Sequence, residues 1–191
     1  MPTSTDREVI ERAMAGDTLA FRELVEKHQG FAFSVSFRFV ANTTEAEDIA
    51  QEAFIRLWKH LPTYRFEIKL TTWLYKIVSN LCLDYLKSRH GRRRRQWSTV
   101  DDHNEVPAAF STDASLLEEE FRANVLKMTE ALTPKQKAVF VLRDLEELPV
   151  KEVSEILSMS ANNVKSNLYH ARLRMGDLIS KYNLIPKAEP L

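Results

Sequence analysis

VKEVSEILSMSANNVKSNLYHARLRM, residues Val150 to Met175, reads as a short helix, a tight turn at Ser158 to Ser160, and a longer helix. Val153, Ile156 and Leu157 supply the apolar side of the first. Val164, Leu168, Ala171 and Met175 recur at i, i+4, i+7 and i+11 on one stripe of the second, so the two stripes can face each other. That spacing predicts a helix-turn-helix and leaves an outward stripe holding Lys165, Ser166, Tyr169, His170 and Arg172. These side chains are rich in donors suited to phosphates and to major-groove base edges. An ordinary helical hairpin with a solvated basic face would show the same spacing.

Upstream of this motif, helical patterning predicts a helix from Pro134 to about Leu145, with the proline in its first turn, and another from Leu116 to Leu132. Before those, Ser98 to Ser115 loses periodicity, is rich in Ser, Thr and Asp, and reads as a flexible acidic linker. Toward the N-terminus, three more helices are expected. One is capped by Asp17 and runs to about Val40, carrying Leu19, Phe21, Leu24, Val25, Phe31, Phe33, Val35 and Phe37. A second is opened by a Thr44/Glu47 capping box and runs to His60, before Pro62. The third starts near Leu70, has Leu74, Ile77, Val78, Leu81, Tyr85 and Leu86 on its apolar side, and runs into Arg92 to Arg95. The expectation is an all-α protein of two small helical domains, 1–97 and 116–191, joined by the linker 98–115, the second containing the helix-turn-helix.

Composition agrees. Four Gly, seven Pro, 28% charged and 44% hydrophobic residues favour long helices with packed cores. The net charge of zero hides a segregation that matters more than the sum. Lys69 to Arg95 holds eight Lys and Arg against the single acid Asp84, while Gln96 to Phe121 holds seven acids and no Lys or Arg. A nucleic-acid surface needs local positive potential, which the first of these stretches supplies. The single cysteine, Cys82, precludes an intramolecular disulfide and fits a reducing compartment, so a cytoplasmic location is expected. No stretch approaches the ~20 apolar residues that cross a bilayer, and no direct membrane insertion is expected.

Two further surfaces stand out. On the helix ending at His60, the apolar stripe Ile49, Ala50, Ala53, Phe54, Leu57 and Leu61 accounts for core packing. The opposite stripe should be solvent, yet Asp48, Gln51 and Glu52 share it with Ile55 and Trp58. Acids interleaved with large apolar groups suit a partner-binding helix; a Trp58 partly buried at the domain edge is the simpler alternative. Between Tyr64 and Arg95, the aromatic residues Tyr64, Phe66, Trp73 and Tyr75 alternate with basic ones, the chemistry of unstacked bases on a cationic track. At least one of Trp73 and Tyr75 is expected in the core instead. The arginine run by itself specifies little beyond phosphate contact or a solvated helix end.

Three blocks in fixed order carry a family resemblance: AEDIAQEAFIRLWKHL at Ala46 to Leu61, TTWLYKIVSNLCLDYLKSR at Thr71 to Arg89, and the stretch from Leu132 to Met175 that ends in the helix-turn-helix. With these the chain resembles the extracytoplasmic-function (ECF) sigma factors of bacterial RNA polymerase over nearly its whole length. The resemblance implies a transcription initiation factor that gives core RNA polymerase its promoter specificity under the control of an anti-sigma factor, often membrane-bound. By it, residues 1–97 would be sigma region 2 and 116–191 sigma region 4.

Asp48, Gln51, Glu52, Ile55 and Trp58 would dock on the beta-prime clamp. Tyr64, Arg65, Phe66, Lys69, Thr72, Trp73, Asn80 and Arg89 would meet the minus-ten DNA, with a base flipped into the loop. Lys165, Ser166, Tyr169, His170 and Arg172 would meet the minus-thirty-five DNA, and region 4 would contact the beta flap. The acidic linker is similar to the segment that threads toward the polymerase active site.

Some positions depart from the family pattern. Phe66, Glu67, Ile68 and Lys69 stand where many relatives carry glycine and small polar residues. Ser158 stands where glycine is frequent, Asn162 and Asn163 replace a common Gly-Thr, and His170 replaces arginine. As a whole the chain is also similar to the sigma factor of cobalt and nickel resistance systems, which would place it in a stress response.

Two competing classes fit less of the chain. A conventional repressor or activator would use the same helix-turn-helix but leaves the first domain without a task. A hydrolase or metal protein needs a constellation that is missing: His28, His60, His90, His103 and His170 are scattered without ligand spacing, and no phosphate loop or nucleophile elbow occurs. No enzymatic activity, no cofactor and no metal site are expected.

Overall fold

The computed structural model describes residues 4–96 and 124–181. Every regular element among them is helical, and the chain divides into two compact units, Met1–Tyr85 and Leu86–Leu191. The linker read at 98–115, and the beginning of the helix read from Leu116, lie outside the described residues.

In the first unit, α1 (Ser4–Met14) is a helix that the polar N-terminal sequence does not announce. It is held by packing: Ile10 and Ala13 are buried, and the helix lies on α2 (Thr18–Val40) and on the 3₁₀ turn Leu61–Thr63. The Asp17 cap forms as expected, its carboxylate accepting from the N–H groups of Leu19 and Ala20 and from the Arg12 guanidinium. Those backbone N–H groups, the Ala20 bond first, and Arg12 hold the Asp17 carboxyl below the ordinary carboxylate range. Helix α2 ends on Ala41 in the left-handed region (φ 52°), whose N–H donates to the Phe37 carbonyl.

Helix α3 (Thr43–His60) opens on a different residue from the one the sequence suggests. Asn42 is the cap, with extended backbone and its side chain accepting from the Glu45 N–H at 3.0 Å, while Thr44 is already inside the helix. The short Asn side chain one residue ahead of two threonines wins the orphan N–H. The inner stripe of α3 is buried as expected, from Ile49 to Leu57 with Leu61 beyond, and the helix packs on α2, whose Ala20, Leu24, Val35 and Phe39 are buried as well. Helix α4 (Leu70–Gln96) adds Leu74, Val78, Cys82 and Tyr75, the last meeting Phe31 of α2 edge-on at 4.9 Å. The division between the units falls inside this helix.

In the second unit, the described part of α5 (residues 124–128) runs into a 3₁₀ turn, Thr129–Ala131. Helix α6 (Pro134–Phe140) has Pro134 in its first turn, and its cap is a Thr133/Gln136 box with reciprocal bonds. It widens into one π-turn, Val141–Leu145, where a continuous helix was expected. Helices α7 (Val150–Leu157) and α8 (Ala161–Lys181) form the helix-turn-helix. Val153, Ile156 and Leu157 are buried with Val164, Leu168, Ala171 and Met175, the pairing that the spacing predicts. Ala171 and Met175 also join Met128, Leu132 and Phe140 in one core.

Candidate polymerase and DNA interfaces

The outer stripe of α3 is what its inner packing leaves over. Asp48, Gln51 and Ile55 are exposed, Ile55 at 47%, and Glu52 is half-buried and paired with Arg56 at 2.8 Å. Trp58 is half-buried because its indole rests on Phe21 of α2, ring centres 4.6 Å apart. The face therefore presents two polar side chains without a partner among the described residues, a bare isoleucine and the free edge of an indole that the domain itself holds. Sequence reasoning placed Phe21 among the apolar residues of α2 but not beneath Trp58.

The second surface is the loop from Tyr64 to Lys69 with the start of α4. Tyr64 is only 7% exposed, its hydroxyl donates to the carbonyl of Ile68, and burial raises the phenol above its ordinary titration range. Its ring lies nearly parallel to Trp73, 5.3 Å away at 12°, and Phe66 meets it edge-on at 5.1 Å. Three rings thus brace one six-residue loop. Tyr64 works from inside the loop, holding it shut, whereas Arg65, Ile68 and Lys69 are exposed and Phe66, Thr72, Trp73 and Asn80 are half-buried. The Arg7 guanidinium of α1 sits 4.6 Å from the Phe66 ring centre, a cation–π contact bridging helix and loop. Of the pair Trp73 and Tyr75, Tyr75 is the buried one. Arg89 lies farther along α4, half-buried, in the part of the helix that belongs with the second unit; the side chains of Arg92 to Arg95 lie outside the described residues.

The third surface is the outer face of α8. The turn before it closes with Ser158 left-handed (φ 52°), the N–H groups of Ser158 and Met159 both donating to the Ser154 carbonyl. Ser160 then accepts from the Asn163 N–H and caps α8. Lys165, Ser166, Tyr169 and His170 all project into solvent, Tyr169 at 61%, with its ring edge-on to His170. Arg172 is exposed but engaged. Its Nε and Nη2 donate to the two carboxylate oxygens of Asp144 at 2.9 and 2.7 Å, and that partner raises its titration range further. Asp144 carries no signal in the sequence, because a π-turn rather than helical spacing places it.

Among the described residues, no cluster of three or more His, Cys, Asp or Glu side chains could hold a metal ion, and no helix is long and apolar enough to cross a membrane.

A Sigma-70 region 2 family model matches residues 24–93, and a Sigma-70 region 4 model matches residues 122–175. The first span contains α3, the aromatic loop and nearly all of α4; the second contains α6, α7 and α8 as far as Met175. Helix α1 precedes both. The chain is 31% identical over 176 residues to the ECF RNA polymerase sigma-E factor of Escherichia coli strain K12, covering 88% of this chain and 91% of that protein. It is 29% identical over 173 residues to the RNA polymerase sigma-H factor of Pseudomonas aeruginosa, covering 87% and 90%. Among solved structures, CnrH in complex with the cytosolic domain of CnrY has the same fold, with a TM-score of 0.62 and 22% identity over 93% of this chain and 99% of that one. So does the sigma factor RpoE in complex with the anti-sigma factor NepR from Bartonella quintana, at TM-score 0.58 and 16% identity over 84% and 96%.

Proposed function

The chain belongs to the ECF sigma factors of the sigma-70 family, and from that premise we propose how the work of directing core RNA polymerase to promoters is divided among its surfaces. The outer face of α3, with Asp48, Gln51, Glu52, Ile55 and Trp58, docks on the beta-prime clamp, and region 4 reaches the beta flap. The braced loop and α4, through Arg65, Phe66, Lys69, Thr72, Trp73 and Asn80, receive the melted minus-ten strand, with Arg89 farther along. Tyr64 shapes that loop from beneath. Lys165, Ser166, Tyr169 and His170 read the minus-thirty-five duplex. The observation that carries this division is the exposed polar face of α8, lying in the region 4 span and wholly separate from the stripe that packs.

Binding proceeds in two steps. The first unit docks on polymerase, and both DNA-reading surfaces then engage their elements at once. Each alone binds weakly, because linking the sites supplies the affinity. An anti-sigma factor, anchored at the membrane and meeting this chain in the cytoplasm, is the natural inhibitor; support comes from the family and from the anti-sigma complex of a protein with this fold. Cobalt and nickel are the first stress signals to test, on the resemblance drawn above, and the sensor would lie in a partner.

The deciding experiment is run-off transcription with bacterial core polymerase on a genomic promoter library, comparing wild type with Asp48→Arg combined with Ile55→Glu. Both positions are exposed, so the variant keeps its core. Discrete transcripts with wild type that vanish with the variant are expected. Tight, specific duplex binding by the free protein, with no transcript, would instead identify a conventional regulator.

A further inference from the structure

Arg172 stands in line with Lys165 and Tyr169, seven residues after the first and three after the second on one face of α8, where a cation ordinarily meets a phosphate. Among the described residues of that face it is the one held in a salt bridge. The π-turn Val141–Leu145 offers the Asp144 carboxylate to it in a two-point, fork-to-fork bond. The turn is itself fixed: Glu146 N–H closes the wide ring on the Val141 carbonyl, Leu148 N–H reaches the Leu142 carbonyl, and the Arg143 guanidinium donates to the Leu148 carbonyl. Asp144 is the more enclosed partner, its side chain 19% exposed against 59% for Arg172. The acid is anchored, and the arginine comes to it.

We propose that Asp144 is a positioning residue that sets the affinity of the minus-thirty-five face by withdrawing Arg172 from DNA. To meet a phosphate, Arg172 must give up two charge-assisted bonds to gain similar ones. The anchored carboxylate left behind would then repel the same phosphate. The pair therefore presents no net charge to the duplex, one cation fewer than the sequence of α8 offers. Keeping this sequence-independent attraction low makes occupancy depend on base contacts and on the simultaneous grip of both units. This inference rests on the assignment of α8 as the duplex-reading helix.

The test is equilibrium binding of the reconstituted holoenzyme, over a salt series, to a duplex carrying a promoter recovered by run-off transcription and to a scrambled duplex. Each phosphate neutralised contributes about 0.9 to the slope of log K against log salt. Asp144→Asn is expected to steepen the slope by about 0.9 and to tighten binding to the scrambled duplex more than to the promoter, so that selectivity falls. Asp144→Glu keeps the wild-type slope.

The double variant Arg172→Ala with Asp144→Asn carries neither charge and keeps the wild-type slope. A slope flattened by about 0.9 in that double variant would overturn the proposal, since Arg172 would already be on a phosphate with Asp144 in place. Arg172→Ala with Asp144→Ala gives the same comparison if asparagine at 144 folds poorly. Lys165→Ala tests the underlying assignment separately: an unchanged slope there would remove the DNA face of α8, and this proposal with it.

Discussion

Trp58 of α3 leans on Phe21 of α2, the two rings tilted by 52° with their centres 4.6 Å apart. On the proposed docking face, that contact would give one side chain two duties, and substitutions can separate them. Trp58→Ala removes an aromatic pair worth about 0.5–1.5 kcal/mol beyond its buried area, so it should lower the melting temperature as well as polymerase binding. Ile55→Glu, on the same face but bare, should leave stability within about 0.5 kcal/mol while abolishing competition for core polymerase. Thermal unfolding beside a core-binding competition assay distinguishes the two.

The braced loop predicts a defect confined to DNA melting. Tyr64→Phe keeps the ring stack on Trp73 and deletes the bond to the Ile68 carbonyl, at a cost of about 0.5–1.5 kcal/mol. Arg7→Met removes the cation over Phe66, which at an exposed site is worth a factor of about 2–5. Both variants should slow open-complex formation, read by permanganate reactivity of unpaired thymines, on duplex promoter more than on a pre-melted template. Arg7→Lys should recover part of the loss.

Two turn residues hold a backbone shape that glycine adopts more easily. Glu147 and Ser158 both lie in the left-handed region, at φ 56° and 52°. Replacing either with glycine relieves steric cost but adds entropy to the unfolded chain, for a net gain of about 0.5–1 kcal/mol. Glu147→Gly and Ser158→Gly should each raise the unfolding midpoint of the second unit, and the double variant should gain nearly the sum.

The first unit should weaken in mild acid. His28 on α2 is half-buried, and desolvation, helped by neighbouring Lys27 and opposed by Asp6, lowers its titration range below the ordinary 6.5. A lowered folded-state value means the unfolded chain binds the proton more readily. The stability linked to neutral His28 is therefore present above about pH 6.5 and declines as pH falls from there through the folded-state value. Denaturant midpoints measured between pH 7.5 and 5 should fall for wild type and fall less for His28→Gln.

Fold and surface were legible to different depths. Helices α2, α3 and α4 and the helix-turn-helix follow from apolar spacing because long amphipathic helices write their packing into the chain, as the stripe from Val164 to Met175 does. Helix α1 escaped because, among its described side chains, only Ile10 and Ala13 are buried and the surfaces that hold it come from elsewhere in the chain. The α3 cap moved from Thr44 to Asn42 because three polar residues in a row, Asn42 to Thr44, could each have capped the helix, and only backbone geometry chooses. On the candidate surfaces, sequence named side chains that the fold, Tyr64 apart, leaves at least partly exposed and missed their supports. Phe21 under Trp58, Arg7 over Phe66 and Asp144 holding Arg172 are all distant in sequence from what they touch, and the last depends on a π-turn with no periodic signature.

Helix α8 keeps its two stripes on disjoint sets of residues: Val164, Leu168, Ala171 and Met175 inward, Lys165, Ser166, Tyr169 and His170 outward. Mutation can therefore rewrite the outward set without disturbing the inward one. On the proposed reading of that face, a duplicated copy of this gene could drift to a new regulon while remaining a folded protein throughout, and an engineer could build mutually insulated genetic circuits from this scaffold by varying four codons.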